Sequence, residues 1–423
     1  MILMVLTGIF TLSPAISSLM NNVVINSFGQ ISTMTGWAES GYWRDIKDAV
    51  DRAAEVGIKN VRIPEGTYNF VNVGESWTGY RVTIPAGVNL FGAPTERYAN
   101  GSVVEWKTVL QIPWEAGPAR PNYITMFRFV GDGDSDEPSR FSDIKVVGYR
   151  ELNPTSDRWY AVVGMYNIID FRVDHCFFKN TAGTAVSVRA PANGDCCGVI
   201  DHCKFINDYG YVEWDYALCS VHYAIMIRAV GTTRWEDNID NVVGKYLPYT
   251  VFIEDCYFSR WRHCVSSNDG THYVFRHNII EKDCVVGSLD AHGTYDNVGT
   301  RAMEIHDNLI IDPVVSKHPE NWNNTTPAYQ QGYGVQWRGG AGVFFNNLVR
   351  NYEVGLYLAD EGSVEKCWPH GIWIWNNTFT SCKHTLLAYS SYRTIQEGVD
   401  YFFYAKPEYT PYIYPHPLTL EIP

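Results

Sequence analysis

The sequence predicts an all-β chain wound as one solenoid of ten or more short coils, and three observations carry that prediction. A six-residue pattern (apolar, any, polar, Cys or Asn, any, apolar) recurs seven times: Val173–Phe178, Ile200–Phe205, Ile253–Phe258, Phe275–Ile280, Ile305–Ile310, Phe344–Val349 and Ile374–Phe379. Its fourth position advances by 27, 53, 22, 30, 39 and 30 residues, spacings that suit one coil per repeat, with 53 read as about two periods and 39 as one period plus an insertion over 312–333. Neither a Leu-x-x-Leu-x-Leu signature nor a 3.6-residue period accompanies the repeat, which removes leucine-rich and helical solenoids.

Taken in chain order, Met1–Leu12 is apolar except for Thr7, Gly8 and Thr11, and small residues follow at Ser13–Ser17. Residues 1–17 are therefore expected to be a secretory signal, too short to span a bilayer. Trp43–Val56 is an amphipathic helix with apolar positions at Ile46, Ala49, Val50 and Ala53 and a stop at Gly57; it is expected to cap the open end of the solenoid, whose first coil would otherwise be an unpaired edge. Val61–Tyr68 and Val82–Phe91 supply the first strands. Asn at the fourth repeat position is expected to make the bend, because it tolerates left-handed backbone and its amide can bond the equivalent amide one coil away. Cys at that position is expected to stack inside the same bend. The coils are expected over residues 36–395, and 396–423, with five Pro from Pro407 to Pro423, as an extended tail on the surface.

Composition narrows the function. Lys and Arg number 33 against 46 Asp and Glu, for a net charge of −13, which argues against a nucleic-acid partner. No apolar run is long enough for a membrane span. Ten Cys are present; since several fall on the repeat, they are expected to be mostly free and buried, with room for a bridge or two. Sequons at Asn100, Asn323, Asn324 and Asn376 are glycosylation candidates, compatible with a secreted or cell-surface location. The pairs Asp174-His175-Cys176 and Asp201-His202-Cys203 could be drawn as a zinc site, but their place on the repeat makes them ladder residues.

The order of helix, Ile63-Pro-Glu-Gly-Thr-Tyr68, Ile84-Pro-Ala-Gly-Val-Asn-Leu-Phe-Gly92 and Asn-Asn-x-Phe coils resembles the right-handed parallel β-helix proteins of the pectate-lyase-like superfamily over residues 36–395. The resemblance implies a right-handed solenoid and a polysaccharide partner; it does not select an activity.

A second strand precedes the bend in several coils: Ala185–Arg189, Cys264–Asn268, Val286–Asp290 and Gly334–Arg338. Stacked, these would place Arg189, Asn268, Asp290 and Arg338 in one column along a shallow groove, with Asp269, His292 and Arg301 on the loops that follow. For β-elimination from a uronate polymer a base must take the proton alpha to the carboxylate while a cation holds the developing charge. Arg301, Arg338, His292 and Asp290 are the catalytic candidates, and Arg189, Asn268, His272 and Trp337 the substrate-binding ones. Asp269 and Asp290 are candidates for holding Ca²⁺, a hard cation that takes several oxygens, and the resemblance implies the same ion, since similar lyases pair an Arg or Lys base with it. Two alternatives stand beside the lyase: a glycoside hydrolase working through Asp269, Asp290 and Glu304, whose family it resembles only in Asn268-Asp269-Gly270 and His292-Gly293, and a non-catalytic surface or glycan-binding protein capable of self-association.

Overall fold

The computed structural model describes residues 35–72, 75, 81–112, 125–132, 138–148, 161–181, 184–190, 195–207, 223–229, 238–281, 287–292, 298–313, 332–407 and 411. Residues 1–17, Asn323 and Asn324 lie outside them.

The described residues form three parallel sheets, a first of twelve strands and a second and third of ten each. Ten coils each contribute a strand to every sheet in the order first, second, third, the first sheet gains one further strand at each end, and each strand pairs in parallel with its equivalent one coil away. The chain is thus a parallel β-helix, as the repeat predicts. The helix forms over Trp43–Val56, buries Ile46, Ala49, Val50 and Ala53, and ends at Gly57 with φ 73°. It packs over the strands Thr35–Trp37, Asn60–Arg62 and Val82–Pro85, covering the first coil.

The seven repeats superpose. Val173, Ile200, Ile253, Phe275, Ile305, Phe344 and Ile374 are successive partners in the first sheet. The residue that turns the corner, however, is the third of the pattern, not the fourth: His175, His202, Asp255, His277, Asp307, Asn346 and Asn376 all have φ between 51° and 57°. The fourth residue comes just after the turn, where its side chain points inward. There Asn278, Asn308, Asn347 and Asn377 form a ladder in which each Oδ1 accepts the backbone N–H of the preceding member, at 2.9–3.1 Å. Cys176, Cys203 and Cys256 continue that file, each thiol donating to a carbonyl one coil back at 3.6 Å. The eight described cysteines are all free thiols, and burial pushes Cys196 up to about 12 and Cys197 up to about 11. Inside the corner, Phe178, Phe205 and Phe258 stack with centroids 5.1 and 4.8 Å apart.

Asn308→Ala removes the acceptor of the Asn278 N–H (2.9 Å) and the donor to Phe275 O (2.9 Å) in a buried corner. The expected cost is about 2–4 kcal/mol, from leaving two buried backbone groups unpaired; a urea-midpoint change worth less than about 0.5 kcal/mol would show that the ladder is not a stabilising element.

Two spacings resolve differently from the sequence expectation. The 53-residue step is a single coil, since Gly198–Asp201 pairs directly with Val251–Glu254, and the extra residues fall between the strands Lys204–Ile206, Tyr223–Ala229 and Thr250–Glu254. The C-terminal segment is not wholly a surface tail: Tyr401–Phe403 adds the twelfth strand of the first sheet against Ile372–Ile374. Among the described residues no helix is long and apolar enough to cross a membrane.

Candidate functional site

In the third sheet the strands alternate, as half-buried strands must. Val186, Val188, Ile225, Ile227, Val265, Leu289, Ala291, Val335, Trp337, Leu356 and Leu358 face the core. The intervening residues face outward in two files one coil apart along the axis, a rise of ~4.8 Å per step. One file runs Ser187, Met226, Ser266, Asp290, Gln336, Tyr357, Leu387. The other runs Arg189, Arg228, Asn268. It is continued by His292, whose N–H donates to Ser267 O at 2.8 Å, and by Arg338, whose N–H donates to Ala291 O at 3.0 Å. Of the column expected from the sequence, Arg189, Asn268 and Arg338 share one file, and Asp290 stands in the neighbouring one, on the same face.

The two files are tied together by ions. Arg338 binds Asp290 with both prongs of its guanidinium, Nε to Oδ1 at 2.9 Å and Nη2 to Oδ2 at 2.6 Å. Its remaining Nη1 reaches Glu361 Oε1 at 2.6 Å, and the other Glu361 oxygen lies 2.7 Å from Nδ1 of His292. A chain Asp290–Arg338–Glu361–His292 therefore leads from a wholly buried carboxylate to an imidazole that is 28% exposed. His263 closes the inner end: its Nδ1 donates to Gly287 O at 2.5 Å and its Nε2 lies 3.8 Å from Asp290.

Burial by itself would raise Asp290, but the charge of Arg338 and its paired hydrogen bonds outweigh it and hold this carboxyl well below the ordinary range. Arg338 is correspondingly raised: burial works against its charge, and Asp290 and Glu361 more than compensate. Burial lowers His263 to about 3, so it is neutral and offers Nε2 as an acceptor. Asp269 behaves oppositely to Asp290. It is half-buried at a left-handed position (φ 58°), and burial raises its carboxyl against the pull of Arg228, Arg189 and His292. Burial likewise lowers Arg228, an effect that neighbouring Arg189 reinforces and Asp269 opposes.

His263 sets a pH dependence of stability. Its folded pKa of about 3 lies below the unfolded value of about 6.5, so the unfolded chain takes up the proton first. The contribution is complete above pH about 6.5 and is lost as pH falls towards 3, at up to about 1.4 kcal/mol per pH unit. His263→Gln is expected to flatten the stability curve over that window by up to one proton; an unchanged slope in urea titrations between pH 4 and 7 would remove His263 as its source.

The remaining sequence candidates lie elsewhere. Trp337 was expected to meet substrate, but it sits on the inward side of its strand between Ala291 and Leu358 and is fully buried. His272 is buried on the first sheet, with Nδ1 2.9 Å from Thr250 Oγ1 and Nε2 2.9 Å from Glu304 Oε1. Glu304 also accepts the Gly244 N–H, at 2.7 Å, so this carboxylate is committed beneath the segment 238–249. Arg301 is buried at the start of the first-sheet strand Ala302–His306, where its charge helps burial to lower His370. Asn100 and Asn376 are exposed, Asn376 at a left-handed corner. The Ca²⁺ set does not fit: both Asp290 oxygens are taken by Arg338, and Asp269 faces Arg189 and Arg228, which repel a dication. Among the described residues no three His, Cys, Asp or Glu converge as a metal site.

Arg228 and Glu361 were missed in the sequence. Arg228 had a signal, since Ala224–Ala229 repeats the apolar spacing and final Arg-Ala of Ala185–Ala190. Glu361 follows the strand Val354–Ala359 in a connection without a repeat counterpart, and had none.

No family model matches this sequence, and no curated protein matches it. Solved structures do. The A-module of the mannuronan C-5 epimerase AlgE4 from Azotobacter vinelandii superposes with a TM-score of 0.41 and 13% identity, covering 85% of this chain and 97% of the module. The surface adhesin PfbA of Streptococcus pneumoniae gives 0.44 and 15%, covering 82% and 89%. The tailspike protein of E. coli bacteriophage HK620, solved with a pentasaccharide, gives 0.48 and 12%, and the chain covers 60% of its length and 85% of its own. The parallel β-helix is established by the strand registers of this chain, and its chemistry has to be read from its own side chains.

Proposed function

We propose that this chain is an exported enzyme that cleaves an acidic polysaccharide by β-elimination on the outer face of the third sheet. The observation that carries the reading is the file Arg189–Arg228–Asn268–His292–Arg338, with Asp269 beside it. The ~4.8 Å rise per coil approaches the length of a pyranose residue, so a linear polymer lying along the axis meets one coil per sugar. Arg189 and Arg228 offer two cations on successive coils for the carboxylates of neighbouring uronates.

The proton chemistry follows from the side chains. The negative charge of Glu361 Oε2, 2.7 Å from Nδ1 of His292 though not in hydrogen-bonding geometry, favours the proton on Nδ1 and the lone pair on Nε2. Nε2 takes the proton alpha to the uronate carboxylate. The electron pair so released forms the C4–C5 double bond as the C4–O4 bond breaks, and the leaving oxygen takes a proton from Asp269, whose raised carboxyl suits an acid. A cation facing the substrate carboxylate stabilises the charge that develops on it. Arg228 is the candidate for that role, two coils before His292 in the same file. Arg338 was expected to do this work, but with its guanidinium shared between Asp290 and Glu361 it serves to position His292. Hydrolysis by paired carboxylates is less well supported, because Asp290 is held ionised, buried and bidentate on Arg338 and cannot deliver a proton.

The test is incubation with polygalacturonate and alginate. Elimination gives products with the ultraviolet absorbance of an unsaturated uronate end. Reducing ends without that absorbance would mean hydrolysis, and no new ends on either polymer would favour a non-catalytic binder.

A further inference from the structure

The outer face of the third sheet changes character beyond Arg338. On the preceding coils the outward file carries Arg189 and Arg228; on the last two coils the outward positions of the strands Val354–Ala359 and His384–Tyr389 include Tyr357, Ala359, Leu387 and Tyr389, and neither strand contains Lys or Arg. Tyr333 and Tyr357, from successive coils, stack in parallel with centroids 4.5 Å apart and planes 13° from each other. One coil further, Leu387 pairs with Tyr357 and Tyr389 with Ala359, and Tyr389 is 59% exposed. Burial, with Tyr333 and Tyr389 nearby, pushes the Tyr357 phenol up to about 12. The guanidinium at the boundary is offset by its two carboxylates, Asp290 and Glu361.

From this we propose that Tyr333, Tyr357 and Tyr389 form a stacking subsite for uncharged sugar residues, so that the preferred polymer carries neutral sugars as well as uronates. The inference rests on the reading of this face as a glycan groove and goes beyond it by naming the substrate as a mixed acidic polymer. Its physical basis is the apolar C–H face that a pyranose presents, which packs on the exposed ring of Tyr389, with Tyr333 and Tyr357, each covering one face of the other, beside it on the preceding coils. The stack also lies on the same face as the basic file and continues its direction, so one chain can occupy both.

The experiment is affinity electrophoresis of the full chain through gels containing rhamnogalacturonan, xanthan or hyaluronan as mixed polymers and polygalacturonate as a uniform one. The tyrosine ring is removed in Tyr357→Ala and Tyr389→Ala, and circular dichroism melting serves as the check of folding. Expected is a weakening of about tenfold on at least one mixed polymer, with polygalacturonate binding within about twofold of wild type, whereas Arg189→Ala weakens both. Equal loss on both polymer types, no effect, or no binding of any mixed polymer by the wild type would overturn the subsite. So would conversion of an oligomer to a monomer by the same variants on gel filtration with binding unchanged, since the tyrosines would then hold a second copy. Binding does not need turnover: tyrosine-dependent selectivity without unsaturated products would retain the subsite and reject the lyase.

Discussion

His292→Ala is expected to lower kcat on the cleaved polyuronate by about 10²–10⁴-fold, the range for removal of a general acid–base group, while KM changes little. The imidazole is the partly exposed end of the Asp290–Arg338–Glu361 chain, and the other members of its file are Arg189, Arg228, Asn268 and Arg338, none of which is a general-base side chain. Glu361→Gln should reproduce part of the loss, because the carboxylate that favours the proton on Nδ1 is gone while the imidazole remains. The distinguishing readout is the pH–rate profile, which Glu361→Gln should displace and which a merely structural residue would leave in place. Activity of His292→Ala within about threefold of wild type would exclude it from proton transfer.

Arg338→Met carries the largest expected stability effect. It leaves Asp290 as a buried carboxylate without its bidentate partner and Glu361 without its Nη1 donor. Breaking one side of such a pair typically costs about 3–5 kcal/mol. Most of that cost is the uncompensated charge, so Asp290→Leu combined with Arg338→Met should recover most of it. The double variant should nevertheless remain inactive, because Glu361 and His292 have lost the guanidinium that orients them. Urea midpoints of the two single variants and the double measure the coupling; a cost for Arg338→Met below about 1 kcal/mol with no recovery in the double would show that the pair is not a buried ionic anchor.

The fold was legible because a β-helix writes its period into the chain: residues that must stack recur in type. The capping helix, the seven corners and the inward Asn and Cys files could be found from local pattern alone. The corner residue was misplaced by one because left-handed backbone is accepted by the His, Asp and Asn of the third position, while the more uniform Asn of the fourth is selected by its ladder bonds. Trp337 was misassigned although the alternation was present: Val335 and Trp337 lie two apart and share the inward side, leaving Gln336 outward. The site was only partly legible. Arg189, Asn268, His292 and Arg338 follow from the strand register, which the repeat approximates. Glu361 reaches His292 from 69 residues along the chain through a connection that obeys no period, and only the packing of the coils reveals it.

The most direct measurement is a crystal structure of His292→Gln soaked with hexagalacturonate. The expected result is an oligosaccharide lying along the axis of the third sheet, with carboxylates on Arg189 and Arg228 and one C5 hydrogen facing position 292. Sugar bound instead on the first or second sheet, or crossing the third sheet away from these residues, would contradict the assignment of this face as the site.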